Sequence, residues 1–273
     1  MPGRLVGKSI VHLVLLIGAI LSVFPFLWMI LSGFKPNSEI LAYPPAFWPA
    51  RPTLDNFRTA LVVIHFARYF LNSLFLTVTQ CVIVVYTSAL YGYFLNKLRF
   101  RGRGFLFIMV IATLMVPWPV TLIPLYQVMV KIRWVGSYAS IIVPRMISSF
   151  GVFMMYQFLT TVPDDIILSA RIDGASEFVI FNRIVFPLLQ SASMTLLLLT
   201  FIGAWDDFLW PYLMLDNVRK FTLQIGLAMF AGKDWTNYGA ILAGATIAVV
   251  PTLALYIAFQ RYITTGIALS GLK

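Results

Sequence analysis

The chain has 273 residues, 60% of them hydrophobic and only 11% charged, with a mean hydropathy of +0.88. A soluble domain carries about 25% charged residues, so the polar surface is too small to coat a globule in water and the composition reads as an integral membrane protein. The formal charge of +10 does not point to nucleic acid, because the basic residues fall mainly between apolar runs, where they set orientation and meet anionic headgroups of the lipid bilayer.

Gly3-Arg4-Leu5-Val6-Gly7-Lys8-Ser9 imitates a phosphate-binding loop, but it is one residue short of G-x-x-x-x-G-K-S and no strand precedes it. A spanning helix needs roughly 20 mostly apolar residues. Six runs qualify, at about 10–33, 71–96, 105–130, 138–160, 187–211 and 239–262. The expectation is an all-α membrane protein: one permease-like domain over 1–273, six spans and both termini cytoplasmic. The first span reads as an uncleaved anchor, kinked at Pro25. Orientation rests on Lys97, Arg99, Arg101 and Arg103, which crowd the short link between spans two and three and place it in the cytoplasm. Arg4, Lys8, Arg261 and Lys273 then fall on the same side, while Lys35, Arg51, Arg58, Arg68, Lys131, Arg133, Arg219, Lys220 and Lys233 fall outside.

The segment 34–70 holds Pro36, Pro44, Pro45, Pro49 and Pro52 with Tyr43 and Trp48, and reads as an external interfacial loop. A short helix starts near Thr53–Phe57, capped by Thr53 or Asp55. In span two, Cys81 reads as a small buried hydrophobe. As the single cysteine it excludes an intrachain disulfide, and with only His12 and His65 there is no metal site. Span three is interrupted by Met115-Val116-Pro117-Trp118-Pro119. Two prolines so close free several backbone groups, which is tolerated where they line a cavity or pack on protein. Pro117, Trp118 and Pro119 are therefore candidates for a gate or pathway lining. Gln80, Gln127 and Gln157 either line a polar route or bond a neighbouring helix, and Gln127 is carried as a pathway candidate. Arg145, near the outer start of span four, reads as snorkelling to the interface.

A polar stretch follows span four. Thr161 with Asp164 matches a capping box, Pro163 suits a first helical turn, and Asp164 and Asp165 complement the helix dipole. A short helix over Ile166–Ile172 is broken by Asp173-Gly174. Ser176 then caps a second helix, in which Phe178, Phe181 and Val185 share one face. A plain connector needs only a few residues, whereas this one fills 163–186 with two ordered helices, so it should dock against something. Beyond it, Asp206-Asp207 at the outer end of span five read as a cap at the membrane edge. Gly239, Ala240, Ala243 and Gly244 give span six a small-residue packing face, directed toward a partner helix. Acids that could couple an ion to transport are nearly absent from the spans, which argues against a secondary carrier.

Val162-Pro163 through Pro187-Leu188 resembles the cytoplasmic loop of binding-protein-dependent ABC importer permeases, of general form P-x-x-L-x-E-A-A-x-I-D-G-A-S followed by an aromatic-rich helix and P-L. Ala170, Ile172, Asp173, Gly174, Ala175, Ser176, Phe181, Pro187 and Leu188 stand in register. Leu168-Ser169-Ala170 replaces the usual Glu-Ala-Ala. Ala204-Trp205-Asp206-Asp207-Phe208-Leu209-Trp210-Pro211 is similar to the W-N-x-F-x-x-P element of the carbohydrate-importer branch. Thr222-Leu223 with Gly226-Leu227, and Gly266 with Lys273, are similar to its later motifs, the second tail glycine standing one place late at Gly271. The resemblance implies a chain that grips an ATPase through Ala170, Asp173, Gly174, Ala175, Ser176, Phe178 and Phe181, and adds Trp205 and Asp206 to the pathway candidates. It implies a second homologous permease, two ATPase subunits and an external solute-binding protein as partners. ATP and Mg would sit on those ATPases, with no cofactor on this chain and no covalent chemistry done by it. The implied setting is a prokaryotic inner membrane, the implied cargo a sugar, with glycerol phosphate, an amino acid or a peptide as alternatives.

Overall fold

A computed structural model describes residues 2–63, 65–230 and 236–270. Lys233, Gly271 and Lys273 lie outside the described residues. Among those described, the chain is helical, with no β-strand. The helices are α1 (Pro2–Gly33), α2 (Asn37–Ile40), α3 (Asp55–Val63), α4 (Phe66–Lys97), α5 (Arg103–Leu114), α6 (Trp118–Lys131), α7 (Ala139–Ile142), α8 (Ser149–Leu159) and α9 (Asp164–Ile172). They continue as α10 (Glu177–Ile180), α11 (Phe186–Leu188), α12 (Gln190–Trp205), α13 (Leu209–Met214), α14 (Leu223–Ala228) and α15 (Tyr238–Ser270). Among the described residues, four stretches are long and apolar enough to cross a membrane, or six if each of two bent helix pairs counts as one span. The Gly3–Ser9 stretch lies inside α1.

The chain divides into two compact units. The first comprises residues 1–70 and 223–250. Here the carbonyls at the end of α1 find side-chain donors, as helix ends require. The Asn56 amide donates to Gly33 O at 2.9 Å and Lys35 O at 2.6 Å. Lys35 is 1% exposed; its ammonium donates to Ala46 O and lies 4.4 Å from the centre of the Trp28 ring. The small face of α15 is filled from within this unit. A Cβ on Gly239 would fall 2.4 Å from the Asn56 amide, and one on Gly244 would fall 2.3 Å from Leu227. Ala240 and Ala243 are fully buried. The face expected to meet a partner helix is therefore occupied by the chain itself.

The second unit comprises residues 71–222 and 251–273. Its core joins Val84, Ala89 and Tyr93 of α4 to Met155 and Leu159 of α8, Ile167 of α9, and Leu196 of α12. Close approach needs small residues where helices cross. A Cβ on Gly92 would stand 2.9 Å from the Met155 side chain, and one on Gly151 would meet the Ser88 hydroxyl. Span three is not the single helix 105–130: α5 and α6 meet at 101°. The cause is local. Pro117 takes an extended conformation at the start of α6, the residue before a proline is pushed out of the α region, and neither Pro117 nor Pro119 has an N–H to continue the ladder. Span five is likewise shorter than 187–211. Its straight part is α12, the stretch Glu177–Leu188 lies at 78° to it, and the chain breaks again before α13.

Candidate functional site

The polar loop forms the two helices expected of it, with changed ends. α9 starts at Asp164 with Pro163 as its cap residue, and no side chain caps it. The Thr161 hydroxyl donates to Phe158 O instead, so the capping box does not form. At the other end the Ala175 N–H reaches back to Ala170 O at 3.0 Å and the Gly174 N–H to Arg171 O. This paired closure needs a left-handed residue after the helix, and Gly174 supplies it with φ of +81°. Open space surrounds the position where a Gly174 Cβ would stand, so backbone conformation alone selects glycine there. Ser176 caps α10, its hydroxyl accepting from the Val179 N–H.

Burial divides the residues singled out by the loop. Ala170 is buried against the core, and Asp173, Gly174 and Ser176 form the exposed tip with Ala175 half-buried. Ile172 is 86% exposed and Phe178 is 70% exposed. Phe181 is not on their face. It is 1% exposed, with its ring 5.7 Å from Tyr86, 5.6 Å from Tyr93 and 5.9 Å from Phe186. The backbone over Phe181–Val185 widens into a π-turn. Phe181 is therefore part of the loop's own core, and Phe178 with Ile172 forms the apolar surface it offers.

Two polar contacts fix this loop to the end of α4. The Lys97 ammonium, on a side chain 6% exposed, donates to Asp164 Oδ1 and Val162 O, both at 2.6 Å. Lys97 holds the Asp164 carboxyl below the usual carboxylate range, chiefly through that hydrogen bond. Glu177 takes the Arg171 Nε–H on one oxygen at 2.6 Å and the Tyr93 hydroxyl on the other at 2.5 Å. Sequence reasoning missed both braces. Lys97 carries no mark beyond its charge, Glu177 reads as an ordinary first-turn acid, and Tyr93 lies in an apolar run.

The second set of singled-out residues gathers at the break in span three. Trp118, Arg145, Asp207 and Trp210 come together, although they lie far apart in sequence. Arg145 does not snorkel. Its guanidinium donates to Asp207 Oδ2 at 2.6 Å and lies 4.9 Å from the centre of the Trp118 ring. Trp118 meets Trp210 edge-on at 5.6 Å, and Trp210, fully buried, donates its indole N–H to Ser140 O. Asp207 is thus half of an ion pair, while Asp206 stays exposed beside it. Pro117, Pro119 and Gln127 are exposed along α6. Trp205 does not line a route: it is 1% exposed and stacks on Phe201 at 5.6 Å. Gln80 is a helix tie, donating to Ile141 O. The signal for the Arg145–Asp207 pair was present: an ionisable residue within an apolar run implies a partner.

The chain is 34% identical to the arabinooligosaccharides transport system permease protein AraQ of Halalkalibacterium halodurans, over 93% of this chain and 92% of that one. It is 28% identical to the sn-glycerol-3-phosphate transport system permease protein UgpE of Brucella abortus, over 97% of each. Its fold matches a solved bacterial ABC transporter involved in the import of the acidic polysaccharide alginate, with a TM-score of 0.80 and 21% identity over 93% of this chain and 96% of that one. The family model of the binding-protein-dependent transport system inner membrane component matches residues 88–268, taking in the loop with its exposed Gly174 tip and the Trp118 cluster, and the chain belongs to that family.

Proposed function

We propose that the chain is the membrane-spanning permease subunit of an ATP-driven importer of a sugar or sugar oligomer. It would cross a prokaryotic inner membrane six times, both termini cytoplasmic, each bent helix pair serving as one span. Its partners are a second homologous permease, two ATPase subunits and an external solute-binding protein. ATP and Mg belong to the ATPases; the phosphate-loop-like stretch Gly3–Ser9 is one residue short of that motif and lies in α1 with no strand before it.

The observation that carries the reading is the loop tip. Ile172 and Phe178 stand exposed on either side of the Gly174 turn, on a support braced by Lys97–Asp164 and Tyr93–Glu177–Arg171. An exposed apolar pair on a rigid polar mount fits a protein groove, and a push there passes directly into α4. ATP-driven closure of the ATPases would move residues 164–186, rock the spans and draw solute from the binding protein. Asp173, Gly174 and Ser176 shape the tip, Ala170 seats it and Phe178 makes the contact. Pro117, Trp118, Pro119, Gln127 and Asp206 are the pathway candidates that remain exposed.

The test is co-purification with the ATPase, followed by ATP hydrolysis with loaded binding protein. The Phe178→Ala and Ile172→Ser double variant should fold, lose the bound ATPase and lose stimulated hydrolysis. Retention of both would sink the assignment. The ligand carried by the co-purified binding protein, identified by mass spectrometry, decides the cargo. An oligosaccharide supports the sugar reading; glycerol phosphate, an amino acid or a peptide overturns it and leaves the permease assignment standing.

A further inference from the structure

A cleft of about 550 Å³ opens beside the last turn of α4, lined by Phe94, Leu98, Arg99, Phe100 and Arg171. One wall is aromatic: the Phe94 and Phe100 rings lie 4.6 Å apart. The other is cationic. Arg99 and Arg171 line it, and Lys97, Arg101 and Arg103 stand in the same short link as Arg99. Asp164 is paired with Lys97 and Glu177 with Arg171. Arg103 donates to the Asn96 and Leu98 carbonyls, which satisfies hydrogen bonds without cancelling charge. Arg171 gives Glu177 its Nε–H, and a guanidinium has five donors in all, so others remain to face the cleft.

We propose that this cleft binds the phosphate head of an anionic phospholipid. Guanidinium groups suit phosphate oxygens, which they bind in forked pairs, and Phe94, Leu98 and Phe100 give the glycerol and first acyl carbons an apolar seat. The depth is right. α4 has 32 residues, about 48 Å at 1.5 Å per residue, against a hydrocarbon layer of roughly 30 Å, so its basic end reaches the headgroup layer. Basic pockets on the cytoplasmic side between spans take anionic headgroups. The occupant would also touch the importer's working part. Arg171 lines the cleft and, through Glu177, holds both the loop and Tyr93. A bound phosphate draws on Arg171 and so tunes how stiffly the loop is mounted. The proposal rests on the permease reading for the cytoplasmic placement of this end.

The probe is the permease with its co-purified ATPase, reconstituted in nanodiscs of mixed phosphatidylglycerol and phosphatidylcholine, washed, and read for retained lipid by native mass spectrometry. The wild type should retain phosphatidylglycerol selectively. Arg99→Gln should lower that retention about fivefold, while Arg101→Gln, the same charge change outside the cleft lining, should stay within about twofold. Equal losses would mean only diffuse surface attraction and overturn the site, as would full retention in Arg99→Gln. Displacement of the lipid by millimolar glycerol 3-phosphate would assign the cleft to a free phosphate compound and overturn the lipid assignment. Lipid retained only after the ATPase is stripped would mean that the partner covers the cleft, and would overturn it too. The two readings fail separately. Loss of ATPase from every sample, wild type included, counts against the permease assignment, whereas the Arg99 and Arg101 comparison decides the lipid site.

Discussion

The loop at 163–188 and the cluster at Trp118 both hold an ion pair beside aromatic rings, but they are built in opposite ways. In the loop the Arg171–Glu177 pair is local and exposed: the two are six residues apart and retain 34% and 44% of their side-chain exposure. At Trp118 the partners come from distant parts of the chain, Asp207 from the break between α12 and α13, and are more enclosed, Arg145 at 25% and Asp207 at 15%. Solvent-exposed pairs contribute little to stability, while enclosed pairs are costly to break because the survivor is left uncompensated. The loop is therefore a mount, whose shape depends on turn chemistry and on what lies beneath it. The cluster is a clasp, whose integrity depends on charge.

The largest effect should come from beneath the mount. Phe181→Ala removes a ring that is 1% exposed and should cost about 3–5 kcal/mol, lowering the melting temperature of the permease purified without its ATPase. Phe178→Ala, three residues away, should leave that temperature within about 2 °C, since surface substitutions change stability by less than about 0.5 kcal/mol, yet it should release the ATPase. Equal melting losses from the two would erase the distinction between seat and surface.

The clasp should respond next. Arg145→Met strands the Asp207 carboxylate and should cost about 3 kcal/mol. Arg145→Met with Asp207→Leu should recover most of that, because removing both charges removes the desolvation they impose. Denaturant unfolding of the single and double variants measures the coupling. Simple additivity would mean that the pair contributes nothing as a pair.

The contrast also explains what was readable in advance. The loop was legible because turn chemistry is local: Gly174 at positive φ and Ser176 as a cap follow from single residues and their neighbours. The helical face was misjudged because Phe181 and Val185 are buried while Phe178 is exposed; Phe181 is covered by Tyr86, Tyr93 and Phe186, which only the packing brings there. The break in span three was visible in Pro117 and Pro119, yet its 101° bend was not, since the direction after a break is set by packing. That Arg145 needs a partner was legible, but that the partner is Asp207, like the Tyr93–Glu177 contact, depends on which parts of the chain become neighbours. The small face of α15 was correctly seen as packing, but its occupants Asn56, Gly33 and Leu227 come from the same chain.

A smaller effect tests the turn itself. Gly174→Ala meets no steric neighbour but forces a Cβ into the left-handed region at φ of +81°, costing about 1–2 kcal/mol. Gly174→Asn should cost less, since asparagine tolerates that conformation. If ATPase stimulation falls for alanine and is kept for asparagine, tip geometry is what the partner reads. If both are inactive, the partner needs the bare backbone.

The smallest effect concerns the brace between Lys97 and Asp164. The Asp164 carboxyl is held below its usual range by Lys97, so the folded state favours the ionised form. Its contribution is fully present above the unfolded carboxylate pKa of about 3.9 and is lost as pH falls through the lower folded value. At neutral pH the brace is intact and insensitive to pH. Because Asp164 keeps 66% of its side-chain exposure, the pair should contribute no more than about 1 kcal/mol. Asp164→Asn should thus lower stability at pH 7 by that amount or less and flatten the acid limb of the stability curve below pH about 4. An unchanged acid limb in Asp164→Asn would mean that Val162 O alone holds Lys97, and that the loop is mounted on α4 by the backbone contact and not by charge.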